Sequence, residues 1–320
     1  MKKEKTGRII LVVLSALFIL AAILAFRGWH GEQVKKEKLL YLEKYQGKYA
    51  ENTLILRGTS ASEAKKLSEW FHADLRTSFD GKFSTLTLPE GTTVADIFAD
   101  DANKNILSKL SLDFYASVMD TQTDDAPVLT HRNTYSVYDP DFAKQTYFDY
   151  LNFGDAWDTS KGEGITVAVI DTGIDTDHPE FSGKISEYSY NATLDRIVKD
   201  SAEDSASYDW PLIEDDLGHG TQVAGVIASA MNYDGTVGVA PQANLLVIKC
   251  QAESDGKFQT SDLVFAIYYA IERGVDVVNM SFGQPSECGE NVATPDEYNP
   301  FADVLKLAAD SDVICIAAAG

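Results

Sequence analysis

Four near-continuous apolar runs in the second half of the chain constrain its fold more than any other feature. They are ITVAVID (165–171), NLLVIKC (244–250), VDVVNMS (275–281) and VICIAAA (313–319). Runs without polar alternation are typical of parallel strands that are covered on both faces. Two helical stretches, GTQVAGVIASAM and SDLVFAIYYAIERG, lie between them, and Gly274 ends the second one. The pattern predicts a doubly wound α/β domain with a mostly parallel sheet over residues 138–320.

A shorter pattern of strands and helices precedes this domain. TLILRG is typical of a strand, and SASEAKKLSEWFH of an amphipathic helix whose Ser60 and Glu63 fit a capping box. The Asp-Gly dipeptide at 80–81 predicts a hairpin, and a helix and a closing strand follow it. The order β-α-β-β-α-β predicts a small ferredoxin-like α+β module at residues 51–120. The polar residues 121–137 form a predicted linker to the larger domain.

The charge of the chain is unevenly distributed. The formal net charge is −22, but residues 1–48 carry ten Lys or Arg against four Asp or Glu, which leaves −28 on the rest. A body of this charge repels phosphate groups, so we expect no nucleic-acid partner. A solvated acidic surface is the simplest interpretation.

The basic start of the chain flanks an apolar run of 18 residues, Ile9–Phe26. In a helix this run would be roughly 27 Å long, close to the thickness of a bilayer core. A cleaved secretory signal is the alternative, but the run is long for one and lacks a small-x-small cleavage site. We therefore predict a cytoplasmic start and a transmembrane anchor at 1–27, and a stalk at 28–50. The lysines before the run favour a single-pass protein of the cell membrane with its larger domain outside the cell.

Two polar residues stand where functional groups gather in a parallel sheet, at strand ends and helix starts. Asp171 ends the ITVAVI strand, and His219 opens an apolar helix between Gly218 and Gly220. A His at a helix N-terminus lies near the positive end of the helix dipole, which favours the neutral imidazole that a general base needs. An Asp that accepts from the other ring nitrogen would select the tautomer. Taken singly, an Asp at a strand end is more often a cap or turn residue, and a lone His is more often a polar group with satisfied hydrogen bonds.

These two residues lie in motifs that resemble those of the subtilisin-like serine peptidases. The motifs are DTGID with HPE (171–180), HGTQVAG (219–225), GVAP (238–241), NMSFG (279–283) and the lead-in Tyr138–Gly164 with Trp157. The resemblance runs from Tyr138 to Gly320, with two catalytic motifs in the family's order. The module at 51–120 is similar, by element order and position, to the propeptide that inhibits these enzymes and assists their folding.

The resemblance implies a serine endopeptidase that acts on proteins or peptides and needs no cofactor for its chemistry. It implies catalytic roles for Asp171 and His219. It also implies substrate binding by Ser281, Phe282 and Gly283, which would pair with an extended peptide. Asp255, Gly256 and Lys257 would form the opposite edge of the cleft, or a plain turn.

The family's chain order is Asp, His, oxyanion-hole Asn and nucleophilic Ser. SDVICIAAAG (311–320) resembles the strand that delivers the Asn, so the resemblance implies that the domain is incomplete and that the chain as it stands is inactive. A non-catalytic pseudo-peptidase that binds peptides is the alternative. Ser60, in a Gly-Thr-Ser sequence ahead of Asp171, is better explained as a helix cap than as the nucleophile.

Two metal hypotheses remain at this stage. Many relatives bind structural calcium near the loop after the histidine helix. Oxygens for such a site are available there from Asn232, Asp234, Thr236 and Glu180. The alternative is an ordinary turn without a metal. The second is a transition-metal hydrolase site built from the acidic residues and His178 of the segment 175–180, which the peptidase motif explains better. The chain has three cysteines, Cys250, Cys288 and Cys315, which are too few and too far apart for a disulfide scaffold. We expect Cys315 to lie in the core. The sequence leaves open whether Cys250 and Cys288 form a bridge.

Overall fold

A computed structural model describes residues 28–118, 137–151, 153–201, 208–250, 257–283 and 299–319. Within these residues the chain divides into two compact units, and the division falls between Asp113 and Phe114. One strand, β4, contains residues of both units.

The first unit contains three α-helices and strands of one sheet within the described residues. Its elements are α1 (28–44), β1 (Tyr49–Leu56), α2 (Ala61–Phe71), β2 (Asp74–Thr77), β3 (Ser84–Thr87), α3 (Val94–Ala99) and the start of β4 (Leu110–Val118). From β1 onwards the element order is β-α-β-β-α-β, and the strand order is β4-β1-β3-β2. Strand β3 runs antiparallel to both β1 and β2.

Local sequence signals explain where these elements begin and turn. The Ser60 hydroxyl accepts from the Glu63 N–H at 3.3 Å, and the Glu63 carboxylate accepts from the Ser60 N–H at 3.1 Å. This reciprocal pair is the predicted capping box at the start of α2, and it accounts for the Gly-Thr-Ser sequence. Gly81 turns the β2–β3 hairpin with a φ of 72°, a conformation that favours glycine.

The second unit alternates strands and helices. Its elements are α4 (Tyr147–Leu151), α5 (Phe153–Trp157), β5 (Thr166–Asp171), β6 (Tyr190–Asn191), β7 (Arg196–Ile197), α6 (Val198–Ser201), α7 (His219–Ala228), β8 (Asn244–Lys249), β9 (Lys257–Gln259), α8 (Thr260–Glu272), β10 (Val277–Met280), β11 (Phe282–Gly283), α9 (Pro300–Asp310) and β12 (Ile314–Ala317). Gly274 follows α8 with a φ of 67°, as expected for a helix stop.

The main sheet of this unit is parallel except at one edge. The strand order is β12-β10-β5-β8-β6-β7, with only β7 antiparallel to its neighbour among the described pairs. Val167 and Val169 of β5 pack with Ala224 and Ala228 of α7, whereas α8 contacts the same strand from its other face. Successive strand residues point to opposite faces, so both faces are covered. The predicted α/β architecture is therefore confirmed.

The lead-in to the first strand of this sheet is fixed by an aromatic cluster. Phe142, Phe148 and Trp157 pack together with Val237, and the Trp157 indole N–H donates to the Val239 carbonyl at 2.8 Å. The lead-in is thereby fastened to the loop that follows α7. Val239 lies in the predicted GVAP turn (238–241), and Val237 directly precedes this turn.

The end of β4 forms antiparallel strand pairs within the same unit. Residues 115–117 of β4 pair with β9, and residues 117–118 pair with β11. A segment of this chain is thus inserted as an extended strand between β9 and β11. The segment borders residues Phe282 and Gly283, which were predicted to bind a peptide in this way.

Several predictions fall wholly or partly outside the described residues. No helix among those residues is long and apolar enough to cross a membrane, and the predicted anchor Ile9–Phe26 is not among them. Of the predicted linker 121–137, only Val137 is described, and Cys288 is not. Cys315, predicted to lie in the core, is only partly buried, because β12 is at the edge of the described sheet.

Candidate active site

Asp171 is the last residue of β5, and its side chain is buried with 1% exposure. One of its oxygens, Oδ1, lies 2.7 Å from Nδ1 of His219 and also accepts from the Thr172 N–H at 2.7 Å. The other oxygen, Oδ2, is buried and has no hydrogen-bond partner among the described residues. An ionised carboxylate only accepts, so Nδ1 of His219 carries the proton. In the neutral ring, Nε2 then holds the lone pair that accepts a proton.

His219 is the first residue of α7, and 23% of its side chain is exposed. Gly218 before it has a φ of 83°, which lets the chain turn sharply into the helix. A Cβ at Gly220 would lie 3.1 Å from the Asp171 Cβ and even closer to the Gly173 carbonyl. Glycine at this position therefore permits the helix to begin against the end of β5. This close approach brings the imidazole to the carboxylate.

The three predicted substrate-binding residues follow β10. Ser281 connects β10 to β11, and its Oγ lies 2.9 Å from Nδ2 of Asn279. Phe282 and Gly283 form β11 and pair with Val118 and Ser117. Their peptide-binding role stays a prediction, but their backbone does take part in strand pairing. On the opposite side Lys257 opens β9, whereas Asp255 and Gly256 lie outside the described residues.

The side-chain oxygens of Glu180, Asn232 and Asp234, which were predicted to hold calcium, accept hydrogen bonds from N–H donors. The Glu180 carboxylate accepts from the Thr236 N–H at 3.1 Å and lies 3.4 Å from Nδ2 of Asn232. Asn232 Oδ1 and Asp234 Oδ1 accept from backbone N–H groups of their own turn. Burial raises the pKa of Glu180 above its ordinary value, and the nearby Asp139 adds to this. Each of these oxygens keeps a further lone pair, so the hydrogen bonds do not decide the calcium site, which stays a prediction.

The transition-metal alternative is not supported by the described residues. No group of three or more His, Cys, Asp or Glu side chains among them is arranged to hold a metal ion. Nδ1 of His178 accepts from the Glu180 N–H at 3.3 Å, and Asp175 Oδ1 accepts from the Asp177 N–H at 3.1 Å. These contacts are those of a tight turn.

Asp215 is a site residue that sequence reasoning missed. Its carboxylate accepts from Thr172 and Thr221, which belong to the two motif segments that carry Asp171 and His219. Lys249 of β8, buried beside the same loop and 2.7 Å from Asp216, was not anticipated either, but none of its side-chain hydrogen bonds among the described residues reaches Asp171 or His219. The acidic run before the LGHGT motif, EDD (214–216), is the only signal for either, and by itself it indicates a solvated surface.

The sequence of this chain was compared with protein-family models and with curated proteins. The family model described as Subtilase family matches residues 162–320, which include both Asp171 and His219. The intracellular serine protease of Paenibacillus polymyxa is 37% identical over 164 residues, which is 51% of this chain and 44% of that protein. The major intracellular serine protease of Bacillus subtilis (strain 168) is 37% identical over 160 residues, 50% of this chain and 44% of that protein.

Residues 162–320 belong to the subtilase family. The predicted resemblance is therefore confirmed for this segment. The chain spans less than half of the length of the two curated relatives.

The subtilase segment also has the family's fold. The crystal structure of fervidolysin from Fervidobacterium pennivorans, a keratinolytic enzyme related to subtilisin, aligns with a TM-score of 0.62 at 20% identity. The alignment covers 86% of this chain and 40% of that one. At this identity the comparison supports the fold and nothing finer.

Proposed function

We propose that this chain is part of a subtilisin-like serine endopeptidase in which Asp171 and His219 form two members of an Asp-His-Ser triad. The observation that carries the proposal is the 2.7 Å contact between Oδ1 of Asp171 and Nδ1 of His219 at the carboxyl end of a parallel sheet. In the proposal the Ser, and the Asn that binds the oxyanion, belong to the whole protein of which this chain is a part. The whole protein's activity is thus inferred from a pair of residues and a family segment.

The proposed mechanism assigns one proton path to the pair. Nε2 of His219 takes the proton from the Ser hydroxyl as that hydroxyl attacks the scissile carbonyl, and later delivers it to the leaving amine. Asp171 holds the Nδ1–H tautomer and stabilises the imidazolium that forms in between. Its burial at 1% exposure keeps this interaction away from water and so strengthens it. No cofactor is needed for these steps.

The proposed substrates are extended peptides or proteins. Phe282 and Gly283 present backbone groups for strand pairing, and Ser117 and Val118 pair with them now. A substrate would add to the same edge through main-chain hydrogen bonds. We further propose that the ferredoxin-like module is a propeptide whose end, residues 115–118, blocks this edge until it is removed. The module is then a partner of the peptidase segment within the same chain.

The proposed location rests on sequence alone. The apolar run Ile9–Phe26 and the lysines before it favour a single-pass membrane anchor with the peptidase outside the cell. The names of the two curated relatives, by contrast, describe intracellular proteases. Protease digestion of intact cells separates the two: an external domain is degraded, and an internal one is protected.

The proposal keeps structural calcium as a prediction of the family resemblance. Glu180 accepts a hydrogen bond from the Thr236 N–H where the resemblance would put the ion, and its carboxylate is of the kind that calcium prefers as a ligand.

A fluorophosphonate probe tests the triad in the complete protein. The probe reacts with a serine that an adjacent base activates, so the wild-type protein should be labelled and His219→Ala should lose labelling. His178→Ala is the matched control, since this His lies in the same unit and serves a turn, and it should be labelled like wild type. Labelling that survives His219→Ala contradicts the triad assignment.

The alternative is a pseudo-peptidase that binds peptides without cutting them, and the same experiment identifies it. A complete protein that is never labelled but still binds an extended peptide at β11 would favour this alternative. A labelled protein that cleaves a peptide would remove it.

A further inference from the structure

The Asp215 carboxylate accepts five hydrogen bonds in the turn before α7. Oδ1 accepts from the Thr172 hydroxyl at 2.8 Å, the Leu217 N–H at 3.1 Å and the Gly218 N–H at 2.8 Å. Oδ2 accepts from the Thr221 N–H at 2.8 Å and the Thr221 hydroxyl at 2.6 Å. All acceptor sites on this carboxylate thus lie close to donors, which is unusual for a residue in an otherwise acidic surface loop.

These bonds join the segment that carries Asp171 to the segment that carries His219. Thr172 follows Asp171 directly, and its Oγ1 also accepts from the Gly220 N–H at 2.9 Å. Thr221 lies two residues after His219, and its Oγ1 accepts from the Asp175 N–H at 2.9 Å. Each threonine therefore bridges one segment to the other, and both bridges end on the Asp215 carboxylate. No comparable link through Asp216 exists among the described residues, since Asp216 pairs with Lys249.

The carboxylate is held in its ionised form by these donors. Burial by itself raises the pKa of Asp215, but the hydrogen bonds from Thr221, Thr172 and Gly218 outweigh burial and leave the pKa below its ordinary value. An ionised acceptor forms stronger hydrogen bonds than a neutral one. The two bridges are consequently strong at neutral pH.

We propose that Asp215 is a positioning residue that sets the geometry of the Asp171–His219 pair through Thr172 and Thr221. It does not contact a substrate. It fixes where the strand end and the helix start lie relative to each other, and so keeps Nδ1 of His219 at hydrogen-bond distance from Oδ1 of Asp171. Its importance for the reaction rests on the proposed peptidase function, but its effect on the pair does not require the nucleophile.

Proton NMR of the full chain tests the geometry directly. An imidazole N–H that donates to a buried carboxylate has a strongly deshielded proton, and loss of that signal in His219→Ala assigns it to His219. We expect Asp215→Asn to shift or abolish the signal, because an amide at 215 presents a donor to the Thr221 donors. Asp216→Asn is the matched control: it removes the neighbouring carboxylate and none of these bonds, and it should leave the signal unchanged. A folded Asp215→Asn protein with the wild-type signal overturns the inference.

A second pair of variants covers the case in which Asp215→Asn does not fold. Thr172→Val keeps the shape of the side chain but removes the hydroxyl that bridges Asp215 and Gly220, so the signal should shift. Thr172→Ser restores a hydroxyl and should restore the signal. If Val and Ser variants are both folded and both give the wild-type signal, the bridge has no positioning role.

Kinetics in the complete protein separate this inference from the proposed function. Misplacing a reacting group by about 1 Å costs about 100-fold in rate, so Asp215→Asn should lower kcat by that order and leave KM unchanged. A change in KM with constant kcat contradicts the positioning role. If the wild-type protein has no peptidase activity but the NMR signal responds as expected, the proposed function fails and the positioning role stands. If the enzyme is active but Asp215→Asn changes neither the signal nor kcat, the proposed function stands and the positioning role fails.

Discussion

At the Asp171–His219 pair, one carboxylate oxygen accepts both hydrogen bonds. Oδ1 accepts from the imidazole and from the Thr172 N–H, while the buried Oδ2 has no partner among the described residues. The carboxylate is held by its backbone neighbour on one side and by the histidine on the other. Its position therefore depends on both the strand end and the helix start, which explains why a third residue that joins them matters.

Acid should weaken the contribution of Asp215 to stability. Because its pKa in the folded protein lies below the ordinary value of 3.8, the stabilisation is complete above that value and is lost as pH falls through the folded pKa. Denaturant unfolding between about pH 6 and pH 2 should show the wild-type free energy of unfolding converging on that of Asp215→Asn as the pH falls. Asp216→Asn is the control. A wild-type advantage over Asp215→Asn that persists undiminished at the lowest pH contradicts the assignment.

Glu180 allows a test of the calcium site. Its pKa is raised, so ionisation of Glu180 costs stability as pH rises from the ordinary value of 4.5 through the folded pKa. At pH 7 in the presence of a chelator we therefore expect Glu180→Gln to unfold at no lower temperature than wild type. Calcium bound at this loop should raise the melting temperature of wild type and not that of Glu180→Gln, with magnesium at the same concentration as the control ion. Equal responses of the two proteins to calcium contradict a calcium site at Glu180.

At the level of secondary structure, the position of helix α7 depends on Gly220 in its first turn, although glycine has a low helix propensity. Gly220 lies against the Gly173 carbonyl, and its N–H donates to Thr172. The helix thus gives up intrinsic stability in its first turn to begin close to β5. Helix and strand packing, not local preference, decides this residue.

Two glycines in α7 allow a matched comparison. Gly220→Ala places a Cβ against backbone that has little freedom to move, so we expect a loss of about 1–3 kcal/mol in the free energy of unfolding and a disturbed His219 signal. Gly225→Ala meets only the Ser229 Oγ at 3.4 Å, so it should be neutral or stabilise by up to about 1 kcal/mol. Chemical denaturation of both variants measures this. Equal effects at the two positions would show that the close approach at Gly220 is unimportant.

At the scale of the whole molecule, one strand contains residues of both compact units. The last residues of β4 belong to the second unit and pair with β9 and β11, while its first residues belong to the sheet of the first unit. A segment that fills the predicted substrate edge is thus continuous in sequence with the small module. This continuity supports the proposal that the module inhibits the peptidase segment of the same chain.

The complete protein should cut its own chain between Val118 and Tyr138. Residues 115–118 lie along the edge at which a substrate is proposed to bind, so we expect the cleaved bond to follow them in sequence. Intact mass and N-terminal sequencing should find a new terminus in this segment for wild type and the uncut precursor for His219→Ala. An active wild-type protein that retains the whole module, or a purified His219→Ala protein that is still cut, contradicts self-processing.

The class of fold and the two motif residues could be predicted from local patterns in the amino-acid sequence. Apolar runs, the Asp-Gly hairpin, the Ser60 capping box and the glycines around His219 are local signals, and each acts within a few residues of chain. They sufficed to predict the parallel sheet, the order of elements and the position of Asp171 and His219 at a strand end and a helix start.

How these elements meet in space depends on long-range packing and could not be predicted from local patterns. Asp171 and His219 are 48 residues apart, and their 2.7 Å contact depends on how closely α7 approaches β5. The sequence around Asp215 indicated a solvated acid, whereas its carboxylate is the acceptor that ties both segments together. Its donors, Thr172 and Thr221, come from different parts of the chain. Long-range packing brings them together, and no local periodicity records that.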